Sequence, residues 1–521
     1  DLQIYHDGSN SIIADVGTGS LELRGTNLSL TAGSGSESYL TAIANGAVSL
    51  YYDNAAKLAT TSTGIDVTGI SVSDGMSTNT LGTSNFIAGV NAGNSILSGG
   101  NYNTVVGDEA GTAITTGDNN VALGYASLDA NTTANNNVAL GYASLTSNTT
   151  GAENTSVGAL SLQENTTASS NTAVGYLSLG SNTTGPYNTA VGWASLDANT
   201  TGAENVALGA DALGINTTGN NNVAVGTNAL DANTTASNNT AVGYASLGAN
   251  TTGTNNVALG ALALDANTTA NNNTALGMSS LTSNTTGSEN TAAGVSSLGA
   301  NTTAANGTAF GYNSLGANTT GASNTAVGRS ALETNTTGYN NTAVGKSSLL
   351  TNTTGVNNTA HGLGALQLNT TGASNVAVGL NSLNANTTAS NNTAVGYNSL
   401  IANTTGSENT AVGYQSGAAN TTGTENAAFG HTALYGNTTG NYNASFGRGS
   451  MYNSTTGSNN TAVGHTALVF NSTGDNNTAV GYEAGYSNTT GTRLTAFGYQ
   501  AGKAHVATGN VQNVFVGNEA G

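Results

Sequence analysis

NVALGYASLDANTTANN (120–136) is followed at once by NVALGYASLTSNTTGAE (137–153) and NTSVGALSLQENTTASS (154–170). The glycine of the ALG or AVG motif, taken as position zero, recurs every 17 residues from Gly107 to Gly498, twenty-four times without insertion or deletion. A 17-residue period is too short for helix-pair repeats or propeller blades. Length alone would suggest three or four domains, whereas the repeat predicts one long array.

The residues of the repeat favour strands and turns over helices. Asn, Thr, Gly and Ser are weak helix formers, and every 17-residue repeat contains several of them. The small and β-branched residues of NTAVG are typical of a strand, and NTTG is typical of a turn. We therefore predict an all-β chain that folds as a parallel β-solenoid, or β-roll, of about 24 coils with a 17-residue repeat. At the ~4.8 Å strand spacing the stack is a rod of roughly 110 Å.

Strand alternation divides the residues around position zero between two faces. Positions −3 and −1 hold Thr or Val and then Val, Leu or Phe, as at Val121 and Leu123, and position +4 holds Leu from Leu128 to Leu400. We expect these three columns to form the coil interior, and His361, which lies in the −1 column, to be buried there.

On the opposite face, position −2 is Ala in nearly every coil and position zero is Gly. Such small residues would let another backbone approach closely. We expect this strip to lie on the axis of a homotrimer. The alternative is that small residues only ease the curvature of the coil. The predicted axis residues are Ala122, Gly124, Ala173, Gly175, Ala241 and Gly243.

The Asn of NTT recurs at position +7 from Asn131 to Asn488, replaced once by Ser454. Side-chain amides stacked in register can hydrogen-bond to one another, as in cross-β stacks. The same triplets match the N-glycosylation acceptor, an interpretation that we rank second. The predicted ladder includes Asn131, Asn148, Asn165, Asn182 and Asn199.

Composition excludes several classes of partner. The chain has 521 residues and a net charge of −19, with 7 Lys and Arg against 26 Asp and Glu. Binding to nucleic-acid phosphates needs clustered cations, so no nucleic acid is expected as a partner. There is no cysteine for a disulfide or a thiolate metal site, and no apolar run approaches the ~20 residues of a membrane span, so we expect no membrane insertion of this segment.

The register of the repeat predicts four segments. Residues 1–81 form a β-rich N-terminal shaft segment, with hairpins at Asp7-Gly8 and Asn45-Gly46 and strands that include SLELRG (20–25) and GIDVTGISV (64–72). Residues 82–102 form a transition segment, residues 103–504 the solenoid, and residues 505–521 an irregular last coil. Because the sequence stops within a repeat motif, we expect the chain to continue.

Two resemblances accompany these patterns. The motif N-[ST]-[VA]-A-[VI]-G across roughly 103–504 resembles the head repeat of trimeric autotransporter adhesins, although that family's coil is shorter. It implies a parallel β-roll that trimerises through its inner strands and binds host surfaces. DLQIYHDGSNS, SLYYDNAAKLATTSTGIDVTG and the terminal GYQAG coils resemble tail-fibre and related structural proteins of marine bacteriophages. That resemblance implies an elongated trimer in the virion with a host-recognition tip.

Residues that carry chemistry are sparse. His431 and His465 share the +1 column but lie two coils, or ~9.6 Å, apart, which is too far for one metal ion. Asp and Glu residues are scattered, and no pair is marked as a glycosidase pair. We therefore expect no catalytic residue, no cofactor and no metal. A polysaccharide-depolymerising tailspike is the enzymatic alternative.

Aromatic residues fill part of the +1 column. Aromatic faces can stack on sugars, although packing between coils or subunits is the favoured interpretation here. The candidate carbohydrate contacts are Tyr125, Tyr142, Tyr176, Trp193 and Tyr244.

The sequence thus predicts a non-enzymatic structural and adhesive fibre, a trimeric phage tail-fibre shaft located in the virion or at an extracellular surface. Its partners would be its own copies and a host glycan or protein receptor. A cellular trimeric adhesin is the alternative.

Overall fold

The computed structural model describes residues 2–62, 65–67, 81–506, 508–510 and 512–521. Its contacts divide the chain into two units, Asp1–Ser77 and Thr78–Gly521. Within the described residues every helix or strand element is a β-strand, which confirms the predicted all-β class.

The N-terminal unit consists of two antiparallel sheets. The first pairs β1 (Leu2–His6) with β2 (Ser11–Asp15), and the second is a meander of β3 (Asn27–Thr31), β4 (Ser38–Ile43), β5 (Val48–Tyr52), β6 (Ala55–Thr60) and β7 (Ile65–Val67).

Both predicted hairpins form at their turn residues. The Asp7 carboxylate accepts backbone N–H groups of Ser9 and Asn10 between β1 and β2, at 2.9 and 2.7 Å. Asn45 adopts a left-handed φ of 60° between β4 and β5. SLELRG (20–25) forms no strand, because no described strand lies beside it to complete a ladder, so that prediction is wrong. The part of GIDVTGISV after Val67 lies outside the described residues.

The second unit is one parallel ladder of short strands. The described residues contain 26 of them, each three residues long: β8 (Phe86–Ala88), β9 (Thr104–Val106), β10 (Val121–Leu123), β11 (Val138–Leu140), β12 (Thr155–Val157), β13 (Thr172–Val174), β14 (Thr189–Val191), β15 (Val206–Leu208), β16 (Val223–Val225), β17 (Thr240–Val242), β18 (Val257–Leu259), β19 (Thr274–Leu276), β20 (Thr291–Ala293), β21 (Thr308–Phe310), β22 (Thr325–Val327), β23 (Thr342–Val344), β24 (Thr359–His361), β25 (Val376–Val378), β26 (Thr393–Val395), β27 (Thr410–Val412), β28 (Ala427–Phe429), β29 (Ala444–Phe446), β30 (Thr461–Val463), β31 (Thr478–Val480), β32 (Thr495–Phe497) and β33 (Val514–Val516).

Each strand pairs in register with the strand one coil further on, as β10 does with β11 through Ala122 and Ala139. The pairing runs from β8 to β33, and among the described residues these two end strands pair only with their neighbours, so the sheet is open. The architecture confirms the predicted parallel β-solenoid with a 17-residue repeat. Because β8 and β33 belong to the ladder, the solenoid extends into the predicted transition segment 82–102 and into 505–521.

Backbone hydrogen bonds connect successive coils on more than one side. Val121 N–H donates to the Asn137 carbonyl at 2.8 Å, Leu128 N–H to that of Ser144 at 3.0 Å, and Thr132 N–H to that of Thr149 at 3.2 Å. The strand is therefore only one of several parallel hydrogen-bonded columns along the stack.

The interior differs from the prediction at the strand. Ala122 at −2 is fully buried together with Leu128 at +4, whereas Val121 and Leu123 lie on the exposed face. The expected inward placement of the −3 and −1 columns is therefore wrong, and His361 is likewise exposed. The physical reason is space: a 17-residue coil that already encloses Leu and two Asn side chains leaves room for only a small side chain beneath the strand, such as Ala122 or Ser156.

The predicted Ala–Gly axis strip is corrected by the same geometry. Ala122, Ala173 and Ala241 are fully buried in the core of their own coils, so they cannot face a symmetry axis. The glycines at position zero are needed because each one packs directly against the glycine of the next coil. Gly124, Gly175 and Gly243 adopt φ of 133–134°, and an added Cβ would lie 2.5, 2.3 and 2.6 Å from the carbonyl oxygen of the next coil's glycine. These glycines allow the coils to approach one another.

Candidate functional site

The Asn residues at +7 are fully buried and bonded side chain to side chain. Nδ2 of Asn148 donates to Oδ1 of Asn131 at 3.1 Å, and Nδ2 of Asn165 donates to Oδ1 of Asn148 at 2.8 Å. The series continues through Asn182 and Asn199 and is unbroken as far as Asn437. The predicted ladder residues are thus brought together, and burial keeps their amides from a glycosylating enzyme in the folded coil.

One substitution interrupts this ladder. Where Ser454 replaces Asn, Oγ of Ser454 and Oδ1 of Asn437 are buried without a hydrogen-bond partner. The ladder resumes where Nδ2 of Asn488 donates to Oδ1 of Asn471 at 3.3 Å. The length of the side chain at +7 therefore decides whether the amide columns connect.

A second buried Asn column at −4 was missed by the sequence interpretation. Oδ1 of Asn137 accepts the backbone N–H of Asn154 at 2.9 Å, and its Nδ2 donates to the Gly151 carbonyl at 3.0 Å. Nearly invariant Asn directly before each strand was the available signal. The two Asn columns satisfy polar backbone groups in the interior, where unpaired groups would be costly.

The exposed face of β8–β33 carries the −3 and −1 side chains, a surface that we call the outer strip. Its −1 column exposes 49% of Leu259, 44% of Phe310 and 55% of Phe497. Phe429 and Phe446 stack on this face with ring centres 4.9 Å apart. A contiguous exposed apolar surface marks an interaction site.

The predicted carbohydrate contacts are exposed but form no single platform. Tyr125 and Tyr142 stack with ring centres 5.7 Å apart. Tyr176, Trp193 and Tyr244 are exposed. Tyr244 lies between coils that carry Thr227 and Ala261 in the same column. The structure therefore joins only the first two rings.

A more continuous arrangement occupies the +1 column near the C-terminal end. We call it the ring column; it consists of Tyr397, Tyr414, His431, Arg448, His465, Tyr482 and Tyr499. Its aromatic neighbours stack at 4.9–5.4 Å, and Nη1 of Arg448 lies 3.4 Å from Nε2 of His465. Alignment of the repeats was the signal that could have identified these seven successive positions.

Three carboxyl groups in the +5 column have raised pKa values. Burial raises the pKa of Asp197 most, and the nearby charges of Glu164 and Asp211 raise it further. Burial is also the main cause at Asp231 and Asp265. These shifts follow from partial desolvation along one column of the coil surface.

Within the described ranges, no group of three or more His, Asp or Glu side chains is arranged to hold a metal ion. The same part of the chain contains no helix that is long and apolar enough to cross a bilayer.

No protein-family model, no curated protein and no solved structure matches this chain. The resemblances to trimeric adhesin heads and to phage tail fibres therefore rest on the sequence motifs alone.

Proposed function

We propose that this chain is the shaft of a self-associating fibre that acts by mechanical reach and multivalent surface contact, without a catalytic step. The observation that carries the proposal is the outer strip, whose −1 column is apolar in each of the 26 described solenoid strands except β24, where it is His361. Neutral side chains suit such a stack, because charges repeated every ~4.8 Å would repel one another.

The partner that fits the outer strip best is another copy of the same chain. Only a surface with the same repeat can contact every step of so long a ladder in equivalent positions. A homotrimer is the stoichiometry that the resembled families imply. In such a trimer the −3 and −1 columns would face the symmetry axis in place of the Ala–Gly strip. Three chains would then present the same ring column three times, which raises the effective concentration of weak contacts at a surface.

The fibre would operate in the virion, as part of a tail fibre, or at an extracellular surface. Host-surface recognition would fall to exposed side chains of the shaft or to a tip. Two features support this setting: an interior satisfied by its own amide ladders, and the absence of cysteine, which makes folding independent of redox conditions.

Charge substitutions on the outer strip test the self-association. The triple variant Leu259→Glu, Leu276→Glu, Phe310→Glu places like charges on exposed positions of β18, β19 and β21. Its matched control, Thr252→Glu, Thr269→Glu, Thr303→Glu, adds the same charge at exposed turn positions seven residues earlier in each case.

Sedimentation over a range of protein concentrations measures the outcome. The wild type and the turn control should form a species of about 153 kDa, three times the chain mass of 51.0 kDa. The outer-strip variant should dissociate at concentrations at least tenfold higher than the wild type, because desolvating carboxylates opposes assembly. Equal association of variant and wild type would contradict the proposed interface.

A further inference from the structure

The centre of the ring column borders a groove of about 360 Å³, within the range of small-molecule sites. His431, Arg448 and His465 line one side of it, from three successive coils. Tyr452, half-buried, and Val469, buried, provide apolar lining. Tyr452 itself stacks on Tyr435 with ring centres 4.9 Å apart, so it is held in place.

Hydrogen bonds define what each polar group can offer a ligand. The Thr432 hydroxyl donates to the His431 carbonyl at 2.8 Å, so its oxygen accepts from Nδ1 of His431 at 3.3 Å. Nε2 of His431 then has no hydrogen-bond partner among the described residues and can accept a hydrogen bond from a hydroxyl group. His465 has the same arrangement with Thr466, and its Nε2 accepts from the guanidinium of Arg448.

Arg448 supplies the positive charge of the groove. The described residues contain no carboxylate in an ion pair with it, and none of the groove's lining residues is acidic. The nearby carboxylate of Glu483 is already paired with Lys503 at 2.6 Å. Arg448 therefore keeps N–H donors for an anionic ligand, in a geometry that suits carboxylate and sulfate oxygens.

Gly449 creates the open space beside these groups. The equivalent positions one coil away on either side carry Thr432 and Thr466, which also line the groove. A Cβ added at Gly449 would touch only Cγ2 of Thr466, at 3.4 Å. The missing side chain therefore leaves a notch, and the coil does not need glycine there for packing.

We propose that this groove binds an acidic sugar residue, carboxylated or sulfated, of a surface polysaccharide. The guanidinium donates hydrogen bonds to the anionic group, a sugar hydroxyl donates to Nε2 of His431, and the apolar lining contacts the C–H face of the ring. The inference rests on the proposed function and deepens it, because it names the class of receptor that the shaft would contact.

Calorimetric titration of the intact chain tests the inference with three probes: alginate oligosaccharides, dextran sulfate and neutral dextran. The first two separate carboxylate from sulfate as the recognised group. We expect binding to at least one of them and none to neutral dextran. Failure of both acidic probes to bind, or equal binding of neutral dextran, would overturn the proposal.

Two variants and a matched control locate the site. Arg448→Gln removes the charge and should weaken binding about tenfold or more. Gly449→Thr should weaken it similarly by filling the notch, because Thr432 and Thr466 adopt φ of 52° in the same conformation as Gly449 at 64°. Arg329→Gln removes an exposed arginine of the same +1 column elsewhere and should leave affinity unchanged.

The outcomes separate this inference from the proposed function. If Arg448→Gln and Arg329→Gln lose the same affinity, the polysaccharide is attracted to any exposed cation, and the proposed groove site would be overturned. Intact binding in Gly449→Thr with an unchanged melting temperature would overturn it as well. A monomeric wild type that still binds through Arg448 would contradict the self-association and leave the groove standing.

Discussion

The two units of this chain differ in how far they bury their side chains. Every coil of the solenoid encloses its own interior, with Ala, Leu and two Asn side chains fully buried in typical coils. In the described part of the N-terminal unit only Ser49 is buried, whereas Ile4 is 72% and Tyr52 76% exposed. Short antiparallel hairpins can form from local turns, but a single layer has no second surface to pack against.

The comparison shows which parts of the fold are complete in one chain. The solenoid is complete except on its outer strip, where Val, Leu and Phe remain exposed. The N-terminal sheets leave most of their large side chains exposed. Both observations are consistent with packing against further copies, so substitutions should separate stability within a coil from stability that needs a partner.

The largest effect should come from the amide ladder. Asn182→Ser should cost about 2–4 kcal/mol, because it leaves Asn165 Oδ1 and Asn199 Nδ2 without their ladder bonds, as Ser454 does to Asn437. Ser454→Asn should reverse the natural break and raise stability by about 1–2 kcal/mol. Guanidinium unfolding and hydrogen exchange of the adjacent coils measure both changes.

A control for the ladder is Thr184→Ala, an exposed turn residue two positions from Asn182, which should change little. If Asn182→Ser behaves like Thr184→Ala, the buried amides do not stabilise the coil. Exchange in the N-terminal hairpins should be unaffected by any of these three changes.

The orientation of the strand predicts the next largest effect. Ala241→Leu should cost about 1–3 kcal/mol by overpacking the coil interior, whereas Val242→Leu, on the outer strip, should change folding stability by less than about 0.5 kcal/mol. Thermal unfolding of the dissociated chain measures the pair. A larger loss for Val242→Leu would reverse the assignment of the two faces.

In the N-terminal unit the sensitive positions are turns. Asn45→Val should destabilise the β4–β5 hairpin by about 1–2 kcal/mol, since a β-branched residue is disfavoured at its φ of 60°. Asn45→Gly should retain the hairpin. Hydrogen exchange of residues 38–52 reports the change, and a response that spread through the solenoid coils would contradict independent units.

The smallest effect concerns Asp197. Because burial and neighbouring carboxylates raise its folded-state pKa above 3.8, the folded state binds the proton more tightly, and stability should rise as pH falls through that folded-state pKa. Asp197→Asn should remove this part of the pH dependence and be neutral to slightly stabilising at pH 7. Melting temperatures from pH 7 to pH 4 measure it, and a variant with the wild-type slope would refute the assignment.

The repeat was enough to predict the solenoid, its register and the Asn ladder, since each follows from spacing alone. The direction of each strand face did not follow, because alternation separates two faces without saying which one is inside. Apolar size suggested Val121 and Leu123, but the narrow coil admits only Ala122. Leu128 is buried in a left-handed conformation with φ of 54°, which residue preference argues against.

The candidate site was only partly accessible from sequence. The 17-residue register was enough to align the rings of the +1 column. The groove, however, depends on Gly449 lying between two threonines, and on Tyr452 and Val469 from a different column. Those contacts arise from the turn geometry between columns. The spacing of residues within one column does not encode them.

Cross-linking at the outer strip reports directly on self-association through this face, because the chain has no native cysteine. Leu259→Cys and the control Thr252→Cys would each be treated with a short bifunctional maleimide. We expect a covalent dimer of about 102 kDa, twice the 51.0 kDa chain, for Leu259→Cys and monomer for Thr252→Cys. Equal cross-linking of the two variants, or none at Leu259→Cys, would contradict association through this face.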